Sequence, residues 1–130
     1  MKEHAKKLLI VDDEKLVCDV LAEAFERAGY TVKSSQSGEE ALRILEKESI
    51  PVMFLDMKLK GMNGFELGRR VRERSPDSIL YAITAYGSEF ELTKCVQAGF
   101  NGYFLKPVKL EDLYKAAQEA FRELERRKAG

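Results

Sequence analysis

A chain of 130 residues fits one domain and is long enough to bury a real hydrophobic core. Its 22 basic residues balance 22 acidic ones, so no basic excess points to nucleic acid, and 45% hydrophobic with 34% charged residues is an ordinary globular composition. No apolar run approaches the roughly 20 residues that span a bilayer, and Met1 to Lys7 lacks the apolar core of a signal peptide, so a cytoplasmic protein with no membrane partner is expected.

In chain order, Leu8-Leu9-Ile10-Val11 is a short apolar run that ends in acid at Asp12-Asp13-Glu14, and it reads as a first strand. From Lys15 to Ala28 the residues Leu16, Val17, Val20, Leu21, Ala24, Phe25 and Ala28 follow helical spacing as one stripe, and Gly29 stops the helix. Tyr30 to Ser34, less apolar, reads as a strand near a sheet edge. Ser37-Gly38-Glu39-Glu40 has capping-box spacing and opens a second helix that buries Ala41, Leu42 and Leu45. Pro51 leads into Val52-Met53-Phe54-Leu55-Asp56, four apolar residues running into one carboxylate. Such a run suits a strand buried on both faces, with Asp56 at its exposed carboxyl end.

The loop Met57 to Gly64 follows, its two glycines permitting unusual backbone conformations, and Phe65 to Arg74 reads as a helix interrupted at Gly68. Ile79 to Ile83 is a strand ending at the Thr84 hydroxyl. Ser88 to Glu91 repeats the capping spacing and opens a helix that Gly99 terminates. Gly102-Tyr103-Phe104-Leu105 is the last strand and ends at Lys106-Pro107. Leu110 to Leu124 forms the final helix, with Arg126, Arg127 and Lys128 just beyond it to match its dipole. Cys18 and Cys95 lie far apart in helical segments and read as buried or half-buried free thiols rather than a disulfide or zinc site. His4 reads as a disordered terminal residue.

Five strands alternating with five helices predict an α/β fold, a doubly wound parallel sheet with helices on both faces. Periodicity leaves strand order open, and the flavodoxin-like (βα)5 order 2-1-3-4-5 is the common arrangement for such a chain. All strands then point one way, and their ends gather Asp12, Asp13, Asp56, Thr84 and Lys106 at one edge. Three carboxylates so close repel one another unless a cation compensates, and hard oxygen ligands at a partly hydrated site favour Mg2+. With the cluster partly neutralised, Asp56 can attack a phosphorus centre, while Lys106 and Thr84 contact the phosphoryl oxygens. Taken singly, an acidic pair is most often a solvated turn, Lys-Pro an ordinary turn dipeptide and Tyr103 simple strand packing.

Five blocks together, Leu9-Ile10-Val11-Asp12-Asp13-Glu14, Phe54-Leu55-Asp56, Gly61-Met62-Asn63-Gly64-Phe65-Glu66, Ile83-Thr84-Ala85 and Tyr103-Phe104-Leu105-Lys106-Pro107, resemble a two-component response regulator receiver domain, similar to the single-domain chemotaxis response regulator. The resemblance implies one receiver domain over 1–130, with its core at about 7–127. It implies a phosphorylation-activated switch rather than an enzyme acting on other molecules. Asp56 matches the acceptor of a phosphoryl group from a histidine kinase or phosphotransfer protein. Asp13 matches a direct Mg2+ ligand, Asp12 one that acts through water, and the Lys58 backbone carbonyl a further ligand. Lys106 matches the phosphate-pairing lysine and is expected to precede Pro107 through a cis bond. Ala85 leaves room for the phosphoryl group.

Thr84 and Tyr103 match the switch pair that relays the change to a downstream protein, on the face formed by the fourth helix, fifth strand and fifth helix. The chain is expected as a monomer or a weak phosphorylation-dependent dimer with no direct nucleic-acid contact. Leu59-Lys60 departs from the Met-Pro of many receivers. Lys58 and Tyr86 stand two residues beyond Asp56 and Thr84, where the family tunes phosphoryl lifetime, and are expected to restrict attacking water. Two other functions compete. An aspartyl-nucleophile phosphatase of the haloacid dehalogenase type wants a second acid where Lys58 stands, and a phosphorylation-independent interaction domain would not need the full acidic set.

Overall fold

The apolar runs become β1 (Lys7–Val11), β2 (Thr31–Ser35), β3 (Val52–Asp56), β4 (Ile79–Thr84) and β5 (Gly102–Leu105), all parallel, in the spatial order β2-β1-β3-β4-β5. Between and after them lie α1 (Lys15–Arg27), α2 (Gly38–Lys47), α3 (Gly64–Arg74), α4 (Glu89–Gln97) and α5 (Leu110–Ala129). The structure is a computed structural model that describes residues 6–85 and 87–129; His4 and Tyr86 fall outside the described residues. The parallel sheet expected from the alternation is observed, and its strand order is the flavodoxin-like one common for such a chain.

Successive strand side chains point to opposite faces, and both faces are covered. Leu9, Val11, Met53, Leu55, Leu80 and Ala82 join a cluster with Ala41 of α2, Leu67 and Val71 of α3 and Cys95 of α4. The alternate residues Leu8, Ile10, Val52, Phe54, Ile79 and Ile83 join Phe25 of α1 and Leu113, Ala117, Ala120 and Phe121 of α5. All five residues of β3 are buried, as expected for the central strand. Each large apolar side chain so buried contributes about 1.5–3 kcal/mol, which fixes the height of Asp56 in the sheet.

Several elements differ in detail from the sequence reading. In α1 the apolar stripe is wider than the buried face: Cys18 and Phe25 are buried, while Leu16 is 74% and Val20 52% exposed on the far side. Tyr30 precedes β2 rather than beginning it. Its amide donates to the Phe25 carbonyl (3.1 Å), and its ring stacks on Phe121 at 5.6 Å. Helix α5 runs on to Ala129, so Arg126 and Arg127 lie inside its last turn, each paired to Glu123.

Gly68 does not interrupt α3. A Cβ there would lie 2.5 Å from the Phe100 ring, so the glycine is a slot for that ring. Of the two loop glycines only Gly61 has positive φ, +72°. Gly64 serves close approach instead, because a Cβ there would fall on the Asp56 carbonyl and the Met57 Cα. Asn63, read as loop, caps α3 by accepting the Glu66 amide at 2.9 Å.

Candidate functional site

The sheet register builds the site. Val11 stands opposite Leu55 and Leu55 opposite Ala82, so the next residues, Asp12 and Asp56, emerge level with Ile83 and just below Thr84. Thr84 in turn stands opposite Leu105, which puts Lys106 at the same edge, its amide donating to the Thr84 carbonyl at 2.8 Å. Asp12, Asp13 and Asp56 each offer a carboxylate oxygen within 4.8 Å of the others. Asp12, Asp56 and Thr84 are buried, while Asp13 is partly open to solvent.

Two donors from the described residues meet the Asp56 carboxylate. Oδ1 accepts the Lys58 amide at 3.3 Å, and Oδ2 faces Lys106 Nζ at 3.4 Å. The Lys106 side chain is 40% exposed, so this ion pair is screened and adds little to stability. Its consequence is positional: one ammonium stands beside a carboxylate that has Asp12 and Asp13 within 4.8 Å. The Lys106–Pro107 bond is cis, as expected.

Asp12 records the local field. Burial holds its carboxyl above the ordinary range, a bond from the Glu14 amide (2.9 Å) opposes that, Asp56 and Asp13 push it higher and Lys106 pulls it back. The donor set is all hard oxygen with one member open to water, which fits a hydrated Mg2+ better than a soft metal. Asp12, Asp13 and Asp56 are the carboxylates that could hold it.

Asp12, Asp13, Asp56, Thr84 and Lys106 thus meet at one edge. Tyr103 does not join them: its position on β5 is outward, 44% exposed, and Ala85 is an exposed residue just past β4. The Lys58 side chain is exposed while Leu59 beside it is buried, so the loop keeps an apolar anchor at the Met position of the Met-Pro pattern, and the Pro position is taken by the exposed Lys60.

The sequence reading missed the residues that hold the acidic turn from behind. The Asp12 amide donates to the Ser35 carbonyl (3.1 Å), Cys18 Sγ donates to the Asp12 carbonyl (3.2 Å), and Gln36 Nε2 donates to the Asp13 carbonyl (3.4 Å). Ser35 is itself buried, with Oγ donating to the Ser37 carbonyl at 2.7 Å. No periodicity signals such contacts, because they join β2 and α1 to a turn across the fold.

Comparison with known proteins agrees with this geometry. The chain belongs to the response regulator receiver domain family, which it matches over residues 8–118. It is 31% identical over 114 residues to the sporulation initiation phosphotransferase F of Bacillus subtilis, covering 88% of this chain and 92% of that protein. It is 30% identical to part of a cyclic di-GMP phosphodiesterase of Thermotoga maritima, covering 88% of this chain but 31% of that protein. Similarly, it spans only 27% of the length of the transcriptional regulatory protein GlrR of Escherichia coli.

Among solved structures, a CheY-like receiver domain protein from Methanospirillum hungatei superimposes with a TM-score of 0.91 at 30% identity, covering 95% of this chain and 99% of that one. The chemotaxis protein CheY4 of Vibrio cholerae gives 0.85 at 28% identity, covering 90% and 99%. The fold is therefore that of the receiver domains of two-component systems. Among the described residues, no helix is long and apolar enough to cross a membrane.

Proposed function

We propose that this chain works as one receiver unit, a phosphorylation-controlled switch in which Asp56 accepts a phosphoryl group from a histidine kinase or phosphotransfer protein. The observation that carries this reading is the pairing at Asp56 of an acidic cluster on one side, within 4.8 Å, with the Lys106 ammonium on the other, at 3.4 Å. A carboxylate so placed has a cation site to relieve its charge and an ammonium to receive the oxygens of an incoming phosphoryl group.

In the transfer, an Asp56 oxygen attacks the phosphorus of a phosphohistidine. The P–O bond forms, the P–N bond breaks, and the imidazole nitrogen leaves with the bonding pair and takes up a proton. Mg2+, when bound, offsets charge on the phosphoryl oxygens. Lys106 supplies a point charge, the Thr84 hydroxyl a donor, and Ala85 leaves the approach open. Hydrolysis of the acyl phosphate later restores the carboxylate, so the chain catalyses only its own phosphorylation and dephosphorylation.

The signal then has to reach a surface. Thr84 and Tyr103 are the pair that relays it, Tyr103 turning from its outward position as Thr84 moves toward the phosphoryl group. Phe90 and Val96 on α4, Tyr103 and Leu105 on β5 and Leu110 on α5 are all exposed, which suits a downstream protein on that face.

The test is labelling by a small phosphodonor such as phosphoramidate. Mg2+-dependent incorporation that disappears in EDTA and in Asp56→Asn is the expected result. Labelling that persists in Asp56→Asn removes the reading. Pull-down with and without beryllium fluoride as a phosphate mimic then reads partner and phosphorylation dependence together.

A further inference from the structure

The two cysteines are equally buried, each 2% exposed, yet they occupy unlike environments. Cys95 belongs to an apolar cluster between α4 and the sheet, where a small hydrophobic side chain needs no further reason. Cys18 belongs to neither apolar cluster among the described residues. It lies in the second turn of α1, and its Sγ faces two backbone carbonyls, that of Asp12 at 3.2 Å and that of Ser35 at 3.5 Å. A thiol carries a proton and acts as a weak donor, and both carbonyls are acceptors within its reach.

Those two carbonyls frame the start of the acidic turn. Asp12 donates its own amide to the Ser35 carbonyl, so one thiol proton bridges the junction where β1, β2 and the turn meet. Gln36 adds a bond from the solvent side to the Asp13 carbonyl. Gln36 is in turn held by Glu40, whose Oε1 accepts the Gln36 amide at 3.1 Å while the Glu40 amide is capped by Ser37 Oγ. The backbone of two mutually repelling carboxylates is thereby tied to α1 by a sulfur and to the amino end of α2 by an amide.

We propose that Cys18 is a positioning residue for the cation site: its thiol fixes the backbone of Asp12, and through it the aim of the Asp12 and Asp13 carboxylates. This rests on the proposed role of that acidic pair as Mg2+ ligands. Outer partners that orient ligand groups commonly set metal affinity by about 10–100-fold; a weak sulfur donor acting through a backbone carbonyl lies below that, at about 3–10-fold.

The experiment measures the Mg2+ dissociation constant of the unphosphorylated protein by calorimetric titration, beside the thermal midpoint, for the parent, Cys18→Ala, Cys18→Ser and Cys95→Ala. Cys18→Ala is expected to weaken Mg2+ binding about 3–10-fold. Cys18→Ser, which keeps a donor, stays within about 2-fold of the parent, and Cys95→Ala loses stability with no change in affinity. Equal affinity in Cys18→Ala and Cys95→Ala overturns the inference while leaving the proposed function standing. So does an equal loss in Cys18→Ser and Cys18→Ala, which would assign the effect to volume. A parent protein that binds no Mg2+ overturns both.

Discussion

Replacing Asp12 by Asn removes one charge from the acidic cluster while keeping the acceptor that the Glu14 amide uses, so it isolates the electrostatic term. At the 4.8 Å outer limit of the cluster, a like-charge pair costs about 3.5 kcal/mol at an effective dielectric constant of about 20, and about 0.9 in water. Asp12 faces two such charges, Asp13 and Asp56, and the attraction of Lys106 offsets part of the sum. Asp13 is partly solvated, which pulls the figure toward the aqueous limit. A net gain of about 1–2 kcal/mol for Asp12→Asn in the absence of metal follows.

The pH dependence has a fixed sign. Folded Asp12 holds its proton to higher pH than the ordinary 3.8, so the native state binds more protons than the unfolded chain above that value, and parent stability falls as pH rises through the raised folded pKa. The variant lacks this loss. Urea unfolding in EDTA should therefore show the variant nearly level with the parent at pH 3 and more stable at pH 7. With Mg2+ at tenfold over its dissociation constant the parent gains about 1.4 kcal/mol and the order closes or reverses. A variant less stable than the parent at pH 7 in EDTA refutes the account, as does a difference that ignores pH.

Three further outcomes are expected. Gly68→Ala places a methyl 2.5 Å from a Phe100 ring that is itself buried, so overpacking of about 1–3 kcal/mol outweighs the roughly 1 kcal/mol gain in helix propensity, and the thermal midpoint falls. Arg72→Ala removes a guanidinium that donates to the Gly99, Pro76 and Ser78 carbonyls and to Asn101 Oδ1; a loss of about 2–3 kcal/mol is expected, with faster amide exchange in residues 98–101 than in β1. Lys58→Ala exposes the approach to Asp56, and decay of the labelled protein should quicken about 3-fold, or about 0.7 kcal/mol of barrier; an unchanged rate removes the idea that this side chain restricts attacking water.

The sheet was legible because each strand carries its own signal: a run such as Leu8 to Val11 is apolar at every position, which only a strand covered on both faces requires. The site was legible for the same reason, since parallel strands deliver their last residues to one edge whatever the helices do. The helices were legible in period but not in azimuth. Leu16 and Val20 keep the spacing of a buried stripe, yet the face that meets Phe54 and Tyr114 is centred on Phe25, and nothing in α1 alone says which part of a broad apolar arc turns inward. Likewise Gly68 reads as a helix breaker until Phe100, 32 positions away in the chain, is seen to need the space.

Residue type was least informative for the cysteines. Each is a small side chain on the inner face of a helix, and each was expected to be a buried or half-buried free thiol. What separates them is the depth along the sheet at which each helix crosses it. Cys95 joins the apolar cluster of Leu67, Val71, Leu80 and Ala82 below the edge. Cys18 meets the edge itself, where β1 has just ended and the Asp12 and Ser35 carbonyls project. A thiol there makes polar contacts that a methyl could not, next to carboxylates whose aim decides whether a cation can be held. The same burial is therefore packing in one helix and orientation in the other, and the difference is set by tertiary position, which no local pattern encodes.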